Sequence, residues 1–174
     1  MTADDSWLEQ AQPGWTQVQL PEAAAKDSFV SGDTTGRRLT VRYFRENSGD
    51  CLIAKVLLGP GAQGPPGHAH GGSMAALLDE VMGGAAWMNG HMVVSAELTI
   101  RFRKMLPLGT RCIVRANVAQ ADGRKVSTAG TICDEDGTLF CEGEALFIVL
   151  DPKRFGTLAA EVSPMMAAQV QASS

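Results

Sequence analysis

Residues 64–88, GPPGHAHGGSMAALLDEVMGGAAWM, run from a Gly/Pro-rich loop into a segment that is apolar on almost every side. The pattern predicts a helix over residues 72–88, stopped by the Asn89–Gly90 pair. A surface helix needs only an apolar stripe, whereas a helix apolar nearly all round must be covered on nearly every side. The rest of the chain supplies that cover as strands. Residues 38–46 and 51–59 alternate well enough to form a hairpin across the turn NSGD. From Met92 the period is two, with Val94, Ala96, Leu98, Ile100 and Phe102 on one face and Ser95, Glu97, Thr99, Arg101 and Arg103 on the other. Segments 111–120, 125–133 and 139–150 follow as further strands, separated by ADGR and DEDG. The order strand, strand, long helix, four strands describes an α+β domain in which a curved antiparallel sheet wraps one long buried helix, and an open α+β sandwich would show the same pattern.

A chain of 174 residues, 45% of them hydrophobic, holds one domain with a sizeable core, expected over residues 31–150. Residues 1–30 lack a sustained period, and Trp7, Leu8, Trp15, Val18 and Leu20 mark them as an arm that packs on something. Residues 151–174 read as a small, polar tail. The net charge of -4 and pI of about 5.3 argue against nucleic acid or an anionic membrane as partner, since both want a basic face. The helical segment is interrupted by Asp79, Glu80 and two glycines, which disqualifies it as a membrane span. The acidic start MTADDSWLEQ has no export signal, so a cytoplasmic location is expected. Cys51, Cys112, Cys133 and Cys141 lack metal or disulfide spacing and read as reduced thiols, with Cys133 and Cys141 placed to face each other across a hairpin.

Two carboxylates in the middle of a buried helix call for a reason. The segments PPGHAHGGSMAALLDE and VVSAELTIRFRKMLPLGT, with the turn DGRK, resemble the hotdog-fold acyl-CoA thioesterases. The likeness is to the phenylacetate-degradation type and to the mammalian thioesterase superfamily members that share its HGG motif. It covers residues 51–150 and implies the hotdog fold, hydrolysis of an acyl-CoA thioester to acid and free CoA, and no cofactor. It further implies that Asp79 is the catalytic carboxylate, as nucleophile or general base, and that a backbone N–H of the segment His70, Gly71, Gly72 polarises the thioester carbonyl. By the same resemblance Ser95 holds the attacking water or the carboxylate. Arg101, Arg103, Lys104, Arg124 and Lys125 are matched to the CoA phosphates, although a solvated strand face would use the same residues.

The physical reading agrees with this assignment. A helix that starts at Gly71 or Gly72 presents unpaired N–H groups and the positive end of its dipole, where a carbonyl oxygen gaining charge is stabilised. Asp79, between Leu78 and Met82, is expected to be poorly solvated, with its pKa raised by burial. Glu80 is turned by about 100° around the helix and would be the working acid only if the helix were out of phase. Eight residues separate Gly71 from Asp79, about 12 Å at the helical rise, too far for both to reach one thioester. A homodimer with active sites at the subunit interface, or a tetramer built on it, meets that constraint. A metal set of His68, His70 and Asp79 lacks an evident fourth ligand, so no metal is expected; His70 reads as a loop cap and His91 as loop packing. A non-catalytic acyl-CoA-binding module on the same fold is the alternative function.

Overall fold

The computed structural model describes residues 3–20 and 28–150, so the tail expectation at 151–174 lies outside the described residues. A short helix α1 (Ala3–Glu9) and strand β1 (Trp15–Val18) precede the hairpin β2 (Leu39–Glu46) and β3 (Leu52–Leu58). The long helix α2 (Gly71–Met88) follows, then β4 (Val93–Phe102), β5 (Cys112–Asp122), β6 (Lys125–Asp134) and β7 (Leu139–Val149). The described strands form one seven-stranded antiparallel sheet in the order β1-β2-β3-β5-β6-β7-β4, so β1 and β4 are its edges. Helix α2 lies against one face, with Leu77, Leu78, Val81, Met82, Ala85 and Ala86 fully buried. This is the helix-in-sheet arrangement expected from the all-round apolar segment. Among the described residues no helix is long and apolar enough to cross a membrane.

Two glycines paired across β6 and β7, Gly130 and Gly143, set how near the helix comes. A Cβ on Gly130 would lie 3.0 Å from Met82 Cγ, and one on Gly143 would lie 3.3 Å from Leu78 Cδ1. Side chains at either point would push α2 off the sheet and open the core. Gly84 has a related role, because a Cβ there would lie 2.6 Å from Leu20 Cδ1 and 2.8 Å from Leu52 Cδ2. The close packing at this glycine is against side chains rather than a neighbouring backbone.

The sheet has one strand more than the six read from the pattern. β1 is four residues long and pairs with β2 from Trp15↔Glu46 to Val18↔Tyr43. Four residues give only two alternations, too few to register as a period. The start of the arm packs on the sheet face opposite α2, where Trp15, Phe44 and Ile53 form a second, smaller cluster, while Leu20 and Val30 join the core on the α2 side. Lys55 projects onto that face, buried, and its Nζ donates to the carbonyls of Trp7 at 2.9 Å and Gln10 at 2.7 Å. The ammonium also lies 4.6 Å from the Trp7 ring centre. The expected facing of Cys133 and Cys141 is corrected by the register: Cys141 pairs with Ile132, and Cys133 with Leu139, because the β6–β7 ladder slips by one residue beside the turn. All four cysteines are free thiols. Burial pushes the Cys112 thiol up to about 12 and the Cys141 thiol up to about 11, which keeps both protonated.

Candidate active site

The start of α2 is built by its cap. His70 has extended backbone, and its Nδ1 accepts from the Gly72 N–H at 2.9 Å while its carbonyl accepts from Ser73 and Met74. Its own N–H donates to the Ala62 carbonyl at 2.7 Å, which ties the helix start to the preceding loop. Of the two glycine N–H groups proposed from sequence, Gly72 is thus occupied by the cap, and Gly71 is the first helical donor without an acceptor among the described residues. A Cβ on Gly72 would lie 2.9 Å from His70 Nδ1, so glycine there is what lets the imidazole fold back. A Cβ on Gly71 would lie 3.2 Å from Phe102 Cζ, which puts the end of β4 beside the free N–H.

Two turns along the helix, Asp79 has one carboxylate oxygen, Oδ1, buried and without a hydrogen-bond partner. It lines a cleft of about 390 Å³ together with Ala76, Gly83, Trp87, Ser95 and Phe147, and with Phe29 and Val30 from the arm side. Leaving a buried acceptor unpaired costs about 1–3 kcal/mol, so the position of this oxygen is expensive to maintain for a purely structural residue. Glu80 also lines this cleft but differs in its hydrogen bonding. Its Oε1 accepts from the Tyr43 hydroxyl at 2.6 Å and from Ser31 Oγ, and its Oε2 accepts from Ser28 Oγ at 3.5 Å. One carboxylate is committed to hydroxyl donors, and its neighbour leaves an oxygen bare in a cleft of mixed polar and apolar lining. The partners of Glu80 lie 37 to 52 positions away in sequence, and nothing local to the helix announces them.

Ser95 reaches the cleft through an irregularity in β4. The strand pairs with β7 as Ser95↔Phe147, then Glu97↔Leu146 and Leu98↔Ala145, so Ala96 is the extra residue of a β-bulge. The bulge inverts the side-chain alternation, and it corrects the face assignment read from period two. Ser95 turns to the side of Phe147 and of Leu98 and Ile100, which face the helix, while Val94 turns outward and is 46% exposed.

The basic residues fall into two groups, not one. Arg101 pairs with Glu144 at 3.3 Å and Arg103 with Glu142, both across the ladder from β7, so their charge is locally matched. Lys104 is exposed beside them, next to the Gly71 end. Arg124 and Lys125 sit at the tight β5–β6 turn, where Gly123 has φ +55 and Asp122 pairs with Lys125. Lys125 is level with Ile148, which is level with Val94, so this turn lies at the Ser95 end of the sheet. Nine residues of strand, about 30 Å, separate the two ends in one chain. Among the described residues Arg124 and Lys125 make no ion pair.

His68 donates through Nδ1–H to the Pro66 carbonyl at 2.9 Å, and His91, half-buried, is held through its backbone N–H on the Ala86 carbonyl. With His70 engaged as the cap, no cluster of three His, Cys, Asp or Glu side chains among the described residues is arranged to hold a metal.

Comparisons with known proteins agree with the architecture. Acyl-coenzyme A thioesterase THEM4 of Xenopus laevis is 41% identical over 96 residues, 54% of this chain and 43% of that protein. The chain spans about half the length of the curated relatives it matches. A crystal structure of a thioesterase superfamily protein matches with a TM-score of 0.58 at 36% identity, covering 63% of this chain and 56% of the other. A Bacillus halodurans protein solved with CoA matches with a TM-score of 0.52 at 27% identity, over 56% of this chain and 66% of its own. Residues 66–141, which hold the capped helix, the bare carboxylate and the strands β4 to β6, match the thioesterase superfamily. The likeness to the thioesterase superfamily is thus carried by residues 66–141, and the domain built around α2 has the hotdog fold of the solved structures it matches.

Proposed function

We propose that the protein hydrolyses an acyl-CoA thioester to free acid and CoA, with Asp79 acting on water as general base or on the thioester as nucleophile. The observation that carries this reading is the bare Oδ1 of Asp79 in a cleft that it shares with Ser95, which a bulge places on the helix side of β4. In either route the acyl–sulfur bond breaks, the oxygen of water ends in the acid, and the sulfur leaves as the CoA thiol. The Gly71 N–H, at the positive end of α2, is the donor suited to the carbonyl oxygen as it gains charge. Ser95 orients the water or the carboxylate through its hydroxyl. The CoA-bound relative and the thioesterase names of the similar proteins support the substrate class.

Gly71 and Asp79 remain too far apart in one chain, about 12 Å along the helix, to touch one thioester. A homodimer joined along the exposed edge strand β4 would solve this. An antiparallel pairing centred on residue 99 would set residue 95 of one chain level with residue 103 of the other. The Ser95, Arg124 and Lys125 end of one subunit would then meet the Gly71, Arg103 and Lys104 end of its partner, and both basic groups would flank one CoA. The exposed apolar residues Val94 and Phe102, 46% and 54% exposed, lie on that edge. The four free thiols accord with a reducing, cytoplasmic setting.

Mixing two inactive variants tests the shared site. Asp79→Asn keeps the glycine donor, and Gly71→Pro keeps the acid but loses the N–H at a helix position that tolerates proline. Equal co-refolding gives half heterodimers, each with one intact site, so thiol release from acyl-CoA should return to about a quarter of wild type. With folded parents and verified subunit exchange, a mixture no more active than either parent sinks the shared-site reading. A wild-type protein that releases no thiol from short, long or aromatic acyl-CoAs sinks the thioesterase reading itself.

A further inference from the structure

We infer that Glu80 is a positioning residue for acyl selectivity: it pins residues 28–31 so that Phe29 and Val30 form one wall of the Asp79 cleft, the wall that meets the acyl chain. The inference rests on the thioesterase reading of that cleft. Residues 28–32 close on themselves, with the Gly32 N–H donating to the Ser28 carbonyl at 2.9 Å and the Ser31 N–H donating to Ser28 Oγ at 3.1 Å. Glu80 then takes both serine hydroxyls and the Tyr43 hydroxyl, so a single carboxylate joins α2, β2 and this turn. Ser31 Oγ and Tyr43 OH are themselves 2.8 Å apart, which makes the three groups one network. Between its two pinned serines the turn carries Phe29 and Val30, and both line the cleft. Val30 is buried, while Phe29 stands at the mouth, 65% exposed, with the Arg38 guanidinium 5.5 Å from its ring centre.

The chemistry of the wall selects the part of the substrate it meets. Phe29, Val30, Trp87 and Phe147 are apolar, and among the described residues no lysine or arginine lines this cleft, the nearest guanidinium being that of Arg38 at the Phe29 ring, so this side of the cleft suits a hydrocarbon or aromatic acyl group rather than the nucleotide. Hydrogen bonds from hydroxyls to a carboxylate are among the stronger protein hydrogen bonds and fix direction as well as distance. A turn held by them keeps the wall at one spacing from α2. Contact with one additional methylene is worth about fourfold in affinity, so a wall moved by one such contact changes the ranking of acyl groups.

The test measures kcat and KM over a series of saturated acyl-CoAs of increasing length and one aromatic acyl-CoA, with wild type, Phe29→Ala, Ser31→Ala and Glu80→Ala. Binding of the matching non-hydrolysable acyl-CoA thioethers, measured by calorimetry, reads the wall without turnover. Expected for Glu80→Ala and Phe29→Ala is a change of about tenfold or more in the ratio of longest to shortest acyl group, carried by KM and by thioether affinity rather than by kcat. The double variant should add less than about twofold to either single one, since both act through one wall. Should Glu80→Ala fail to fold, Ser31→Ala removes one hydroxyl from the network and should move the profile in the same direction. A Glu80→Ala protein that is less stable but ranks the acyl groups as wild type does would overturn the inference. So would a loss of turnover on every acyl group equal to that of Asp79→Asn. If no acyl-CoA is turned over by wild type, the thioesterase reading fails, and the thioether affinities alone then decide whether the wall selects.

Discussion

Replacing Asp79 with leucine should abolish turnover and make the protein more stable. The carboxylate oxygen Oδ1 is buried and accepts nothing, so folding strips it of solvent and returns no bond. That cost is about 1–3 kcal/mol for one orphaned acceptor, and about 2 kcal/mol is a fair central figure. Leucine removes the orphan, adds apolar contact with Ala76, Trp87 and Phe147 around the cleft, and is the better helix former by a few tenths of a kcal/mol. Its extra volume has room, because the side chain borders a cleft of about 390 Å³ rather than the closed core. For a domain of this size each kcal/mol moves Tm by about 2–4 °C, so the variant should melt about 4–8 °C above wild type. Calorimetry or circular dichroism at one fixed protomer concentration, necessary for any oligomer, measures this beside the thiol-release assay. Asp79→Leu melting at or below the wild-type temperature would refute the reasoning, since it would mean that the oxygen is satisfied and that the site carries no stored cost.

The adjacent glycines of α2 should respond in opposite senses. Gly84→Ala forces a methyl onto Leu20 and Leu52, both fully buried, and should cost about 1–2 kcal/mol in chemical denaturation despite the gain in helix propensity. Gly83→Ala meets only Phe147 at 3.4 Å and should be neutral or stabilising by up to about 1 kcal/mol; an equal loss for both would show that the packing at Gly84 is not what matters. Burial pushes the Lys55 ammonium below the ordinary lysine range, so its contribution to stability is complete above the unfolded-state pKa and is lost as pH falls through the lowered folded value. Lys55→Met should therefore flatten the alkaline slope of stability against pH, and an unchanged slope would assign it to other groups. Arg124→Ala should raise KM for acyl-CoA severalfold with kcat nearly held, and the wild-type KM should climb with salt; indifference to both would leave the β5–β6 turn as plain solvated surface.

How much of this was legible beforehand divides along the range of the forces involved. The elements were written locally: an all-round apolar helix between two alternating strand regions calls for a covering sheet, wrapped or open, and β2 to β7 with α2 follow from periods that any window of ten residues displays. The His70 cap is local too, since it joins positions two residues apart at a glycine that leaves space for the ring. Three features needed the tertiary structure. The bulge at Ala96 turns Ser95 toward the helix, and strict alternation had assigned it to the opposite face, because a bulge leaves no trace in a hydrophobicity pattern. The division of labour between Asp79 and Glu80 depends on hydroxyls at positions 28, 31 and 43, which only chain folding brings to the helix. The two basic groups, continuous in a list of cations, lie at opposite ends of the sheet because strand register, a product of long-range pairing, sets where each one falls. Residue type and short-range spacing determined what chemistry the chain carries; which groups are left unpaired, and beside what, was decided by contacts between segments far apart in the chain.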